Sequence, residues 1–156
     1  MRTALAGIAL GLMLAAGCGG SEDAASPPLR NGVYEYELTP QYLLDNGISE
    51  FQAESESGVH RTTLDGKDFV DTWKTAAGRT GSCRGTFEAD GTLVTFRWTS
   101  GCWGDWEMRY RVDGTTVTWS DVEALPPYDT EEDQKVSEVF SGVPWTRIGN
   151  PPKKEE

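Results

Sequence analysis

Apolar and polar side chains alternate with a period of two along most of the chain after residue 31. The clearest run covers residues 105–112, where Trp106, Met108 and Tyr110 alternate with charged side chains. A period of two places the apolar side chains on one face of an extended strand. The pattern therefore predicts strands with one apolar and one solvated face, as antiparallel sheets have.

The alternation and the turn signals between its runs predict eight strands. They are expected at residues 32–38, 57–64, 67–75, 79–89, 92–99, 104–113, 115–123 and 143–148. Asp-Gly pairs at residues 65–66, 90–91 and 113–114 fall between strand-like runs. Asp-Gly favours tight hairpins because it accepts positive φ angles, so consecutive strands are expected to pair antiparallel.

Two segments break the alternation and are predicted to form short helices. Residues 39–47 begin with a Thr N-cap followed by Pro and end on Gly47, which are helix start and stop signals. Residues 130–140 carry acidic side chains first and apolar ones later at helical spacing. One helix would follow the first strand and the other would precede the last.

Eight hairpin-linked strands must protect the edges of their sheet. A single antiparallel, eight-stranded up-and-down barrel does so, with an interior that side chains fill or that holds one small ligand. We therefore predict a mainly β fold of this kind with two short helices. A two-sheet β-sandwich is the alternative arrangement.

The first 17 residues have the composition of an export signal. Arg2 precedes an apolar run that is shorter than the roughly 20 residues needed to cross a bilayer. Small residues at 15–17 then lead to Cys18. This resembles the bacterial lipoprotein signal, in which a cysteine is acylated and becomes the new N-terminus. The resemblance implies removal of residues 1–17 and lipidation of Cys18; an ordinary secretory signal is the alternative.

Composition divides the remainder of the chain into three parts. Residues 18–28 are rich in Gly, Ser, Ala, Pro and acid, which indicates a flexible tether. Residues 150–156 form a polar tail that begins near two prolines. The folded domain is expected at residues 29–149, a length that suits one modest core.

The chain contains three cysteines, an odd number for an exported protein. If Cys18 is lipidated, Cys83 and Cys102 remain, and outside the cytoplasm they are expected to form a disulfide. Closing a loop of about 20 residues would stabilise the domain by about 3 kcal/mol. Two free thiols in redox or metal chemistry are the alternative, although no Cys-x-x-Cys spacing is present.

The formal net charge of -11 argues against a nucleic-acid partner, because such partners require a basic face. No glycine-rich phosphate loop or nucleotide motif occurs in the chain, and we predict no cofactor. The acidic stretch at residues 121–138 could offer oxygen ligands to calcium. It lacks the spacing of an EF-hand, so a solvated acidic cap is expected instead.

Few residues could carry catalysis. His60 is the only histidine, so a Ser-His-Asp triad would depend on it and a zinc or iron site with two histidines is excluded. Its strand position favours a surface or cross-strand role. Glu35 and Glu37 share one strand face, as do Asp105 and Glu107, but both pairs alternate with apolar residues and are expected to face solvent. We predict no catalytic residue, no metal site and no enzymatic activity.

Aromatic side chains at inward-facing strand positions are the candidates for ligand binding. The predicted set comprises Tyr34, Tyr36, Trp73, Trp98, Trp106 and Trp119. These rings either fill the core or line a pocket, with Gly85 leaving room among them. Trp103 lies in the turn that the predicted disulfide would hold, where an aromatic side chain could contact a ligand or partner at the rim.

The whole pattern resembles the lipocalin or calycin barrel, and more closely small actinobacterial lipoproteins with such a domain. The residues that carry the resemblance are the export signal through residue 20, Gly32-Val33-Tyr34 in the first strand and the closing run at residues 144–148. Gly32-Val33-Tyr34 is similar to the Gly-x-Trp of lipocalins. The resemblance implies structural roles for Gly32 and Arg147, with Arg147 packing across Tyr34.

Together these features predict a membrane-anchored lipoprotein on the extracytoplasmic face of the cell membrane. Its barrel is expected to bind a small apolar or aromatic ligand. The alternative is a structural or partner-binding envelope lipoprotein with a filled barrel and no ligand. The membrane is the expected partner through the lipid anchor, and the sequence identifies no protein partner.

Overall fold

The computed structural model describes residues 27–102 and 104–153, and eight strands dominate it. The strands are β1 (Gly32–Leu38), β2 (Gly58–Asp65), β3 (Asp68–Lys74), β4 (Thr80–Asp90), β5 (Leu93–Ser100), β6 (Asp105–Asp113), β7 (Thr116–Leu125) and β8 (Trp145–Gly149). Each strand pairs antiparallel with the next, and β8 returns to pair with β1. The predicted up-and-down barrel is therefore confirmed, and the alternative sandwich is not formed.

Three short helices accompany the barrel: α1 (Pro40–Asp45), α2 (Glu50–Glu56) and α3 (Glu131–Ser141). The helices α1 and α3 correspond to the two predicted segments, with α3 ending one residue later than expected, and α2 was not predicted. Ser49 caps α2 by accepting a hydrogen bond from the backbone N–H of Gln52. The Ser-x-x-Gln start is a helix signal, but α2 lacks an apolar stripe because Phe51 points into solvent.

The connections between strands differ at the two ends of the barrel. One end, here called the turn end, carries the two-residue hairpins that begin with Gly66, Gly91 and Gly114, whose φ angles are 69°, 60° and 60°. Glycine at the first central position is what such tight hairpins require. The opposite end, the helix end, carries all three helices and the β5–β6 loop. The longer connections therefore gather around one mouth of the barrel.

The turn end is filled by side chains. Leu64, Val94 and Val117 are buried there. The backbone N–H of Leu29 donates to the Tyr110 hydroxyl, and the Tyr34 hydroxyl donates to the carbonyl of Arg30. The segment before β1 is thus held against this end, where buried hydroxyls need partners.

A bulge in β7 adjusts which side chains face the interior. The register with β6 shifts between Glu107 and Arg109, and Asp121 opposite this shift has a φ of 49°. An extra residue in a strand reverses the inward parity of the residues that follow. Trp119 faces inward before the bulge and Ala124 is buried after it, which extends the apolar lining of β7 beyond the predicted end at residue 123.

The predicted disulfide between Cys83 and Cys102 is present, with the two Cα atoms 5.3 Å apart. Cys83 is a buried residue of β4 and Cys102 lies in the β5–β6 loop. The bond therefore ties that loop to the barrel wall at the helix end.

The predicted signal at residues 1–17, Cys18 and most of the predicted tether lie outside the described residues, as do Trp103 and the last three residues of the tail. Within the described residues, no helix combines the length and apolar character needed to cross a bilayer.

Candidate functional site

A cavity of about 360 Å³ opens inside the barrel at the helix end. Its walls come from inward-facing residues of the strands, and its mouth is bordered by α2, α3 and the disulfide-bonded loop. The volume falls in the range of small-molecule binding sites. The cavity is therefore the candidate functional site.

One wall of the cavity is a stack of four rings from four neighbouring strands. The Trp73 and His60 rings are 5.4 Å apart, the His60 and Tyr36 rings 4.8 Å, and the Tyr36 and Trp145 rings 4.8 Å, all nearly parallel. Strand register sets this arrangement, because His60 pairs directly with both Trp73 and Tyr36. Directly paired residues on one face of a sheet bring their side chains into contact.

The facing wall is built from rings that meet edge to face. Trp98 and Trp106 have centroids 5.5 Å apart, and Trp98 meets Phe69 at 4.6 Å. Two glycines on β4 leave room for rings of both walls: a Cβ at Gly81 would overlap the Trp73 ring, and a Cβ at Gly85 would overlap the Phe69 ring. Small residues in one strand thus accommodate large rings from its neighbours, which is how the barrel holds many aromatic side chains and still encloses a cavity.

A buried polar network lies in the first wall and centres on Asp71, which is 4% exposed. Its carboxylate accepts hydrogen bonds from Thr62 Oγ1 at 2.7 Å and from the Tyr36 hydroxyl at 3.4 Å. His60 Nδ1 lies 3.0 Å from the same carboxylate. A buried carboxylate with three partners avoids the free-energy cost of an isolated charge.

The second ring nitrogen of His60 is also occupied. Nε2 lies 2.7 Å from the backbone carbonyl oxygen of Glu56, which can only accept a hydrogen bond. Both nitrogens of His60 therefore lie within hydrogen-bond distance of an oxygen atom. The His60–Asp71 pair resembles part of a catalytic triad, but Nε2, which would contact the nucleophile of a triad, is bonded to the main chain of Glu56.

The network also fixes α2 over the mouth of the cavity. The last carbonyl groups of α2 accept hydrogen bonds from barrel side chains: Ser55 from the Trp73 indole at 2.9 Å and Glu56 from His60. The preceding carbonyl of Glu54 accepts from Arg79 at 3.2 Å. Helix carbonyl groups lack partners at a C-terminus, and cationic donors are favourable there. The ring stack therefore supports both the cavity wall and the helix at its entrance.

Burial changes the acid–base behaviour of two groups at the site. Desolvation raises the pKa of the Tyr36 hydroxyl well above its usual value, and the Asp71 carboxylate beside it raises it further. Desolvation also raises the pKa of Glu56, an effect that His60 partly offsets. Tyr36 is thus a neutral hydrogen-bond donor, and Glu56 is a carboxyl group in a surrounding that disfavours its charge.

Three indole N–H groups in the described interior have no hydrogen-bond acceptor. They belong to Trp98, Trp119 and Trp145. Trp98 and Trp145 line the cavity, and Trp145 is only 8% exposed. Most buried polar groups in proteins have a partner. Both nitrogen atoms are shielded from the open space of the cavity, so the two rings contribute their other atoms to its lining.

The structure separates the predicted ligand-binding residues into two groups. Tyr36, Trp73, Trp98 and Trp106 line the cavity. Tyr34 and Trp119 are core residues that pack against Trp145 from other directions. The latter two fill the barrel, which was the other interpretation of the aromatic set.

Gly32 and Arg147 lie together at the turn end, away from the cavity. Any Cβ at Gly32 would overlap the Arg147 side chain. Arg147 pairs with Tyr34 in the sheet and donates to the carbonyl of Asn31 at 3.0 Å. Burial raises the pKa of Tyr34, and the neighbouring Arg147 guanidinium partly offsets this. Arg147 thus joins β8 to the segment before β1.

Each carboxylate pair considered from the sequence has one member in an ion pair with an arginine. Glu35 pairs with Arg61 on the outer surface at 2.9 Å, and Asp105 pairs with Arg97 at 3.1 Å. The described residues contain no group of three or more His, Cys, Asp and Glu side chains that could hold a metal ion.

Sequence reasoning missed the polar part of the cavity wall. His60 is 1% exposed, so the expected surface role is wrong and the cross-strand role is correct. The residues missed include His60, Thr62, Asp71, Phe96 and Trp145. A signal was available: a two-residue hairpin after Asp65 pairs Thr62 with Asp71 and His60 with Trp73. Because these polar residues share the face of Leu64, the register alone places them inside the barrel.

Compared with known proteins, the chain matches no protein-family model, no curated protein and no solved structure.

Proposed function

We propose that this protein is a lipid-anchored extracytoplasmic lipoprotein whose barrel binds a small, mainly aromatic or apolar ligand. The observation that carries the proposal is the 360 Å³ cavity lined by Tyr36, Trp73, Trp98 and Trp106. Mainly aromatic walls with a few convergent polar groups are typical of small-molecule sites. The alternative, a filled barrel that acts only as a structural or partner-binding lipoprotein, predicted that such a cavity would be missing.

The anchoring part of the proposal is supported by the sequence. The short apolar run after Arg2 and the small residues before Cys18 have the form of a lipoprotein signal. Two or three acyl chains would hold the domain at a membrane, because each buried CH₂ contributes about 0.8 kcal/mol. The disulfide between Cys83 and Cys102 is typical of proteins in oxidising compartments.

Ligand binding is tested with N-phenyl-1-naphthylamine, a neutral aromatic probe, in a fluorescence titration of the full chain. Saturable binding at one site per molecule is expected. Val136→Trp should weaken it at least about tenfold, since Val136 lines the cavity and a larger ring there occupies the entrance. Val59→Trp makes the same change on the exposed face of β2 and is the control. Titrations without saturation, or equal affinity in both variants, would favour the filled barrel.

Anchoring is tested by expressing the full chain and its Cys18→Ser variant in a bacterium that processes lipoproteins. The wild-type chain should appear in the membrane fraction, with an intact mass that includes acyl chains on Cys18. The variant should lose both properties. A wild-type chain without lipid mass would remove the anchoring part of the proposal and leave ligand binding to be judged by the titration.

A further inference from the structure

Acidic side chains outnumber basic side chains among the described residues that line the cavity. Four carboxyl groups line it: Glu56, Asp71, Glu132 and Asp133. No Lys or Arg side chain is found among its described lining residues. Two basic side chains outside the lining have other contacts: Arg79 donates to the Glu54 carbonyl, and Lys135 lies beside Gly47. The described lining therefore contains four carboxyl groups and a single imidazole, that of His60, which contacts Asp71.

The carboxyl groups occupy distinct positions relative to the aromatic walls. Asp71 is buried in the wall, Glu56 is half-buried at the end of α2, and Glu132 is exposed on the first turn of α3. Asp133 already accepts from Thr130 in the capping box of α3. Glu56 and Glu132 are therefore the carboxyl groups at the mouth that remain available to a ligand.

From this geometry we infer that the ligand is an organic cation: an amine-bearing molecule whose apolar part enters the aromatic cavity while its ammonium group meets Glu56 and Glu132. This inference rests on the proposed function and specifies the ligand class. Cations are attracted to the faces of Trp and Tyr rings, most strongly when desolvated. Negative charge at the mouth of a low-dielectric cavity also concentrates cations there.

The burial of Glu56 is consistent with this class of ligand. Desolvation raises the pKa of its carboxyl group in the free protein. A nearby ammonium group would lower that pKa again, because an opposite charge favours the ionised form. Binding of a cation should therefore release protons near the raised pKa of Glu56.

The test compares three naphthalene probes of similar shape and different charge, measured with the full chain at neutral pH. They are 1-naphthylmethylammonium, 1-naphthylmethanol and 1-naphthoate. The cation should bind at least about tenfold more tightly than the neutral alcohol, and the anion should bind most weakly. Equal binding of cation and alcohol would overturn the charge inference while the proposed function stands. Failure of all three probes would overturn both.

A matched pair of double variants separates local charge from the charge of the whole protein. Glu56→Gln with Glu132→Gln changes the two available carboxyl groups at the mouth. Glu54→Gln with Glu131→Gln makes the same change in neighbouring exposed residues that do not line the cavity. The first pair should reduce affinity for the cation about tenfold and leave the alcohol unchanged; the second should change neither. Equal losses in both pairs would overturn the inference, because bulk charge alone would then explain the preference.

Discussion

The turn end and the helix end of the barrel are built from the same eight alternating strands, yet their interiors differ. At the turn end, Leu64, Val94 and Val117 fill the space, and the hydroxyls of Tyr34 and Tyr110 bond to nearby backbone. At the helix end, larger rings enclose a cavity and two indole donors there lack acceptors. The proposed function assigns each end a different role: the turn end supplies stability and the helix end holds the ligand.

The largest expected effect comes from breaking the buried polar network. Asp71→Ala should lower the free energy of unfolding by about 3–5 kcal/mol, because Tyr36, His60 and Thr62 lose the buried acceptor that they share. Glu35→Ala, which breaks the cross-strand pair with Arg61 on the outer surface, is the matched control and should cost less than about 1 kcal/mol. Urea denaturation of both variants measures the contrast. Similar losses would contradict the buried network.

The next largest effect comes from one substitution at each end of the barrel, which compares their contributions to stability and to probe affinity. Leu64→Ala should lower the free energy of unfolding by about 3 kcal/mol, because it leaves a void in the packed turn end, and affinity for N-phenyl-1-naphthylamine should not change. Phe140→Ala, which alters α3 beside the cavity, should weaken the probe severalfold with a smaller loss of stability. If both variants lose stability and affinity in parallel, the division of roles between the ends is wrong.

Removal of the disulfide should also lower the stability of the folded domain. The double substitution Cys83→Ser and Cys102→Ser should lower the free energy of unfolding by about 3 kcal/mol, since the bond closes a loop that the unfolded chain must otherwise order. The β5–β6 loop at the cavity mouth should also become more exposed to proteolysis. Intact mass after alkylation, with and without reductant, first establishes that the bond is present in the wild-type protein.

The smallest expected effect is the contribution of Glu56 to the pH dependence of the protein's stability. Its pKa is raised in the folded protein by burial, so the folded state binds this proton more tightly than the unfolded chain. Glu56 therefore contributes fully to stability at a pH below its pKa in the unfolded chain. This contribution is lost as the pH rises through the higher pKa that Glu56 has in the folded protein. Glu56→Gln should remove this decline, a change of less than about 1 kcal/mol for a half-exposed group. Glu54→Gln should leave the pH profile of thermal stability unchanged.

The sequence predicted the barrel well because period-two alternation and Asp-Gly hairpins are local signals. All eight predicted strands overlap those observed, and each boundary differs by at most two residues. The α2 helix was missed because its seven residues bury only Ala53 and make no apolar stripe. The β7 extension was missed because the bulge at Asp121 interrupts the alternation.

The cavity was harder to predict than the barrel. Composition identified Tyr36, Trp73, Trp98 and Trp106 as inward-facing, but it could not decide between a filled and a hollow interior. That outcome depends on how rings from different strands tilt against one another and on the space left at Gly81 and Gly85. The polar residues in the wall require the register of β2 and β3, which follows from the hairpin but not from hydropathy.

The most direct test of the central claim is a nitrogen–proton correlation spectrum recorded while N-phenyl-1-naphthylamine is added to the ¹⁵N-labelled full chain. The indole signals of Trp98 and Trp145 should shift in proportion to the bound fraction, together with backbone amides of α2 and α3. The amides of Gly66, Gly91 and Gly114 at the turn end should stay in place. Shifts centred on the turn-end glycines, or no shifts at saturating probe, would contradict a ligand site at the helix end.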